Sequence, residues 1–173
     1  MNEKRVLRRC RSLLKGLEVP SPLDVDALLR RVSDRTGRLI SLVPQRTPLG
    51  LCGVWVALPD RDVICFEASE SKVFREHIIL HEVGHILCQH SHGDRPDVQL
   101  MGQLLPHLDP RVVRRVMGRS RYTEPEELEA EVMASVIIER AGGGFEQLPN
   151  RAPAEGNPGL GRLAHALGGR PSG

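Results

Sequence analysis

The sequence has few aromatic residues, which make up 3% of its 173 positions and include one Trp and one Tyr. Surfaces that stack nucleic-acid bases need aromatic side chains, so this scarcity argues against a single-strand binding protein. The charges are nearly balanced, with 24 Lys and Arg against 22 Asp and Glu. A formal net charge of +2 offers no broad basic surface, and we expect no direct nucleic-acid partner.

The sequence also lacks a long hydrophobic run and a paired cysteine motif. Its longest apolar segment, residues 54–58, is far shorter than the roughly 20 residues of a membrane span. The basic N-terminus has no apolar stretch typical of a signal peptide. The four cysteines (10, 52, 65 and 88) are scattered, and without an export signal they are most simply reduced thiols. We therefore expect a cytoplasmic protein with no membrane partner.

Hydrophobic periodicity predicts an α+β chain in three parts. Residues 1–37 are expected to form an N-terminal helical segment that packs on the core, with a second helix that begins at Ser21 as its N-cap and ends at Gly37. Residues 38–141 are the expected core. The last part, residues 142–173, contains nine Gly and four Pro and is expected to be a largely disordered tail. Within the core, strands are predicted at 38–43, 52–58 and 63–67, the last two as a hairpin, and later helices near 110–117 and 125–140.

The first predicted helix, residues 3–17, carries many basic side chains around an apolar stripe. Such a helix binds nucleic acid or an acidic partner in some proteins, and in others it presents a solvated face while its apolar side packs. We prefer the packing helix, because no aromatic or Gly-rich binding feature accompanies the basic residues.

The chemistry of the chain centres on the run His81-Glu82-Val83-Gly84-His85. On a helix, residues four apart lie on one face about 5–6 Å from each other, so the two histidines can chelate one ion. Glu82 then lies beside the first ligand, where it can accept a proton from water activated by zinc. The apolar approach to the motif predicts that it lies inside a helix. The sequence therefore predicts a Zn²⁺ site with Glu82 as the catalytic base.

A catalytic zinc site needs a third protein ligand, and the sequence offers more than one. Glu127 lies on a face with the small residues Ala130 and Ala134, which would let two helices approach closely. Glu129 is the alternative ligand, because it aligns with a neighbouring apolar face. His90 and His92 are expected to cap the helix end rather than bind metal.

These motifs together resemble the ImmA/IrrE family of bacterial metallopeptidases. The resemblance covers about residues 20–140 and rests on two elements: the helix with the sequence Arg-Glu-His-Ile-Ile-Leu-His-Glu-Val-Gly-His (75–85), and Glu-Leu-Glu-Ala-Glu-Val-Met-Ala (127–134). It implies a zincin-like metallopeptidase domain with a small mixed sheet, a zinc helix and N-terminal helices. It also implies that Glu127 completes the zinc site. The departures, Glu131 for Asn or Asp and Met133 for Phe, concern the substrate groove more than the metal site.

The resemblance implies an intracellular zinc endopeptidase that cleaves a helix-turn-helix repressor or a similar regulatory protein. The alternative is a regulatory or toxin–antitoxin component that binds zinc without proteolysis. Tyr122 precedes the later helix and would be placed to hydrogen-bond the oxyanion, although a half-buried structural Tyr is the simpler interpretation.

Overall fold

The computed structural model describes residues 2–46, 53–90, 102, 105–107 and 122–143, and these form a mixed α+β fold. The predicted α+β class is confirmed. The predicted helix near 110–117, His92 and the Gly/Pro-rich tail from residue 144 lie outside the described residues. None of the helices in the described ranges has the length and apolar character of a membrane span. The described elements are α1 (Glu3–Leu13), α2 (Val25–Thr36), β1 (Leu39–Gln45), β2 (Gly53–Ala57), β3 (Arg61–Glu67), α3 (Lys72–Cys88) and α4 (Glu124–Arg140).

The three strands form one small mixed sheet in the order β1-β3-β2. β1 runs parallel to β3, whereas β2 and β3 are antiparallel and form the predicted hairpin. The central strand β3 is buried from Asp62 to Phe66, as expected of a strand covered on both faces. β2 is an edge strand that alternates, with Val54 and Val56 buried on one face, while Trp55 on the other face is partly buried and packs against the core.

The N-terminal helix α1 packs against α4 through its apolar stripe. Val6 and Cys10 are buried, and Leu14 at the C-cap is fully buried. Two of the basic residues face α4, where Arg9 pairs with Glu129 and Arg11 with Glu139. These contacts support a packing helix.

The start of α2 differs from the prediction, because its N-cap is Asp24 rather than Ser21. The Asp24 carboxylate accepts a hydrogen bond from the backbone N–H of Ala27 at 2.8 Å. The Ser21 hydroxyl instead donates to the carbonyl of Ala141 at 3.1 Å. Both side chains can serve as caps. Because the Ser21 hydroxyl bonds the end of α4, the cap of α2 is left to Asp24. The predicted end is confirmed, since Gly37 caps α2 in the left-handed region with φ 69°.

Helices α3 and α4 pack tightly on each other and are buried on most sides. Ser71 caps α3, and Thr123 with Glu126 forms a capping box at the start of α4. At their contact, a Cβ added to Gly84 would lie 2.7 Å from the carbonyl oxygen of Ala130. This close approach brings the acidic first turns of α4 over the histidines of α3.

Candidate metal centre

Three predicted ligands converge between α3 and α4. The Nε2 atoms of His81 and His85 lie 3.1 Å apart, as expected for residues one helical turn apart. The Oε2 atom of Glu127 lies 3.2 Å from Nε2 of His81. One ligating atom from each of the three residues lies within 4.8 Å of the others, so the group is of a size that can hold one metal ion.

Glu82 lies beside these three residues and is itself buried, at 6% exposure. Burial raises the pKa of this carboxyl to about 7, while the charge of His81 and a backbone hydrogen bond with Trp55 act in the opposite direction. The Oε2 atom has no hydrogen-bond partner among the described residues. A buried carboxylate oxygen without a partner is costly, and such atoms are concentrated where a ligand or water is expected. Glu82 thus has a free acceptor in the site and a pKa suited to proton transfer near neutral pH.

A second glutamate of α4, Glu131, lies behind His81. Its Oε2 atom is 3.3 Å from Nδ1 of His81, and its Oε1 atom is 3.3 Å from Nε2 of His77. Burial raises the pKa of Glu131, but His77 and His81 outweigh burial and bring the pKa down to about 2. Burial likewise lowers the pKa of His81, but Glu127 and Glu131 outweigh it and raise the pKa to about 10. Glu131 therefore orients the imidazole of His81 from the side opposite Glu127.

Sequence reasoning did not assign a site role to Glu131 or His77. Both were detectable from helical spacing, because Glu131 follows Glu127 by one turn and His77 precedes His81 by one turn. Spacing identifies shared faces but does not show which of two adjoining carboxylates contacts which histidine.

Glu129, the alternative ligand, lies apart from His81 and Glu127 in a second cluster. Its Oε2 atom is 3.1 Å from Nε2 of His90 and pairs with Arg9. Burial raises the pKa of Glu129, but the hydrogen bonds from His90 and Arg9 have the larger effect and lower it.

Cys88, His90 and Glu129 form the other described group whose ligating atoms lie close enough for a metal ion, and all three are buried. A hydrogen bond with Cys10 and burial raise the pKa of Cys88, so its thiol is protonated in the metal-free protein.

His90 does not cap α3 with its side chain, contrary to the expectation from sequence. The C-cap is Gln89, in the left-handed region with φ 56°, and the backbone N–H of His90 bonds the carbonyl of His85. The ring of His90 turns inward instead, with Nδ1 lying 2.8 Å from Nδ1 of His85. The buried carboxylate of Glu129 draws the ring into the interior and away from the helix end.

Tyr122 stacks on His85, with ring centroids 3.6 Å apart and planes inclined by 17°. The side chain is partly buried. Burial, followed by the charges of Glu82 and Glu127, raises the pKa of the phenol above its ordinary value. The phenol is therefore protonated near neutral pH.

Comparisons of the chain with protein-family models, with curated proteins and with solved structures find no match. The described residues include two groups of His, Cys and Glu side chains, partly or fully buried, that could hold a metal ion.

Proposed function

We propose that the chain is a zinc-dependent endopeptidase of zincin-like architecture, with His81, His85 and Glu127 as the metal ligands. The observation that carries the proposal is the convergence of these three side chains next to Glu82, whose buried Oε2 atom has no partner among the described residues. Two histidines and one glutamate make up a donor set used by catalytic zinc, with one position left open. The donors therefore fit Zn²⁺.

The assignment is also supported by the surroundings of His81. Its raised pKa, about 10, reflects the negative charge of Glu127 and Glu131 around a buried ring. Two carboxylates around one imidazole favour a positive charge there, and a divalent cation would replace the proton at Nε2. Glu131 would then orient His81 through Nδ1, a common role for carboxylates behind ligating histidines.

In the proposed reaction, a water molecule attacks the scissile carbonyl carbon of a bound protein chain. Zn²⁺, when bound, would polarise that carbonyl and lower the pKa of the water. Glu82 accepts the proton of the water as the new C–O bond forms, and it delivers the proton to the amide nitrogen as the C–N bond breaks. Tyr122 donates a hydrogen bond to the carbonyl oxygen as negative charge builds on it.

The resemblance to ImmA/IrrE metallopeptidases supports an intracellular regulatory protein as the substrate, with a helix-turn-helix repressor as the first candidate. The second candidate function is a zinc-binding regulatory or toxin–antitoxin component without proteolysis. Glu82 favours the peptidase, because a structural zinc ion has no use for a buried base beside its ligands.

The test compares the wild-type chain with Glu82→Gln in zinc content and in cleavage of candidate helix-turn-helix repressors. We expect both proteins to hold one equivalent of zinc and only the wild type to cleave. Equal cleavage by the variant would overturn the role of Glu82, and zinc binding without any cleavage would favour the regulatory component.

The ligand assignment is tested by zinc content in Glu127→Ala, with Glu124→Ala in the first turn of the same helix as the matched control. We expect zinc to be lost only in Glu127→Ala. If Glu129→Ala loses zinc and Glu127→Ala retains it, then Glu129 is the ligand.

A further inference from the structure

We infer that His90, Glu129 and Arg9 form a positioning relay that holds the His85 imidazole in the orientation and tautomer required for metal binding. This inference rests on the metal site proposed above and extends it to three residues that would not touch the ion.

The relay is a continuous line of polar contacts that begins behind His85. Nδ1 of His85 lies 2.8 Å from Nδ1 of His90, and Nε2 of His90 lies 3.1 Å from Oε2 of Glu129. The same carboxylate oxygen pairs with the guanidinium of Arg9. His85, His90 and Glu129 are 0%, 7% and 7% exposed, so water competes little for these contacts.

One arrangement of protons, with both imidazoles neutral, leaves Nε2 of His85 able to bind the metal. Glu129, paired with the Arg9 cation, is an acceptor, so Nε2 of His90 donates to it. A neutral His90 then carries no proton on Nδ1, which must accept from Nδ1–H of His85. This leaves the lone pair of His85 on Nε2, the nitrogen that faces His81. A ligating histidine needs this tautomer.

His81 and His85 are held in a similar way, each through its Nδ1 atom. Nδ1 of His81 contacts the carboxylate of Glu131 directly, at 3.3 Å. Nδ1 of His85 reaches the carboxylate of Glu129 through His90. Helix α4 thus supplies a carboxylate behind each histidine, and carboxylates in that position fix the ring and raise ligand basicity.

The same cluster, with Cys88, has the composition of a metal site, but the contacts favour the relay. Both ring nitrogens of His90 already have polar contacts, with His85 and Glu129, and Cys88 hydrogen-bonds the same ring. A metal ion bound to Glu129 would also lie beside the Arg9 cation. A role in positioning the His85 ring, unlike metal binding by this cluster, leaves these contacts intact.

The test measures Zn²⁺ affinity of the full chain at fixed pH, by competition with a chromophoric chelator. His90→Phe removes both nitrogens, and we expect zinc binding to weaken about 10–100-fold, as for other partners behind zinc ligands. His90→Asn retains an acceptor at the Nδ1 position and should recover much of the affinity. Glu129→Gln, of equal size but neutral, should bind several-fold more weakly than wild type.

A second readout separates positioning from general stability. In ¹⁵N-histidine spectra of the metal-free protein, we expect His85 to be protonated on Nδ1 in the wild type and in His90→Asn. In His90→Phe we expect a mixture of the two tautomers.

The outcomes distinguish the relay from the proposed function. A wild type that binds no zinc overturns the metal site and the relay together. One equivalent bound with equal affinity by wild type and His90→Phe overturns the relay alone. Two equivalents in the wild type and one in Cys88→Ala identify a second metal site and also overturn the relay. If His90→Phe does not fold, unchanged affinity in Glu129→Gln overturns it.

Discussion

Gly84 and Ala130 are in direct contact across the helix pair that carries the metal centre. A Cβ at Gly84 would lie 2.7 Å from the carbonyl oxygen and 2.9 Å from the Cα of Ala130. Those neighbours are backbone atoms that cannot rotate away. Gly84 therefore sets the separation of α3 and α4, and with it the reach of Glu127 to His81.

The Gly84→Ala substitution should destabilise the protein although alanine favours helices. The gain in helix propensity is about 1 kcal/mol, whereas overpacking a core contact typically costs about 1–3 kcal/mol. We expect a net decrease in the free energy of unfolding. Urea unfolding monitored by the fluorescence of Trp55, the single tryptophan, measures this decrease. Val73→Ala, on an exposed part of the same helix, should change the free energy of unfolding much less. A Gly84→Ala variant as stable as wild type would show that the two helices separate easily.

The Arg38→Ala substitution should destabilise the sheet at the turn between β2 and β3. Asp62 is 1% exposed, and it accepts hydrogen bonds from Arg38 at 2.9 and 3.2 Å and from the indole of Trp55 at 3.1 Å. Loss of hydrogen bonds to a charged group costs about 1.5–3 kcal/mol, and we expect the lower part of that range because Arg38 is partly solvated.

The matched control for Arg38 is Arg61→Ala, which removes an exposed pair with Asp60. It should leave the urea midpoint nearly unchanged, because exposed ion pairs contribute little. Equal shifts in the two variants would contradict a special role for the buried carboxylate of Asp62.

Cys65 should resist alkylation in the folded protein well into the alkaline range. Burial, with a smaller effect of the Glu82 charge, raises the pKa of its thiol from 9.0 to about 12. Below pH 9 the folded protein therefore has about a thousandfold less Cys65 thiolate than the unfolded chain. Iodoacetamide labelling followed by peptide mass spectrometry checks this, with the same reaction in urea as the control. Similar labelling rates in the two conditions would contradict it.

The same shift makes stability depend on pH. Because the raised pKa lets the folded state keep a proton that the unfolded chain loses, the contribution of Cys65 is complete below pH 9. It is lost as the pH rises from 9 to about 12. In urea titrations across this window, Cys65→Ala should lose less stability than wild type; parallel losses would argue against the shift.

Removal of Arg140 should loosen the N-terminal helix. Its guanidinium donates to the carbonyl of Leu14 at 2.8 Å and to that of Arg11 at 3.4 Å, at the end of α1. Cationic side chains at such ends satisfy free carbonyls, and each hydrogen bond contributes about 0.5–1.5 kcal/mol. We expect Arg140→Ala to speed amide exchange in α1 selectively. Arg11→Ala, which removes only a half-exposed pair with Glu139, should have a smaller effect.

The sequence by itself determined the elements and the shared faces. Hydrophobic periodicity predicted α1, α3 and α4, and turn residues predicted the β2–β3 hairpin, because these signals act over a few neighbouring positions. The spacing of His81 and His85 likewise placed both on one face of a helix, whatever the rest of the chain does.

Tertiary structure decided which side chains face one another across α3 and α4. Three glutamates of α4 carry the same carboxyl group but contact different atoms. Glu127 contacts Nε2 of His81, whereas Glu131 contacts Nδ1 of the same ring. Glu129 contacts His90 instead. The helix separation at Gly84 and the docking of Arg9 select among them. The start of α2 at Asp24 and the inward turn of His90 have the same origin, since contacts distant in sequence override equal local preferences.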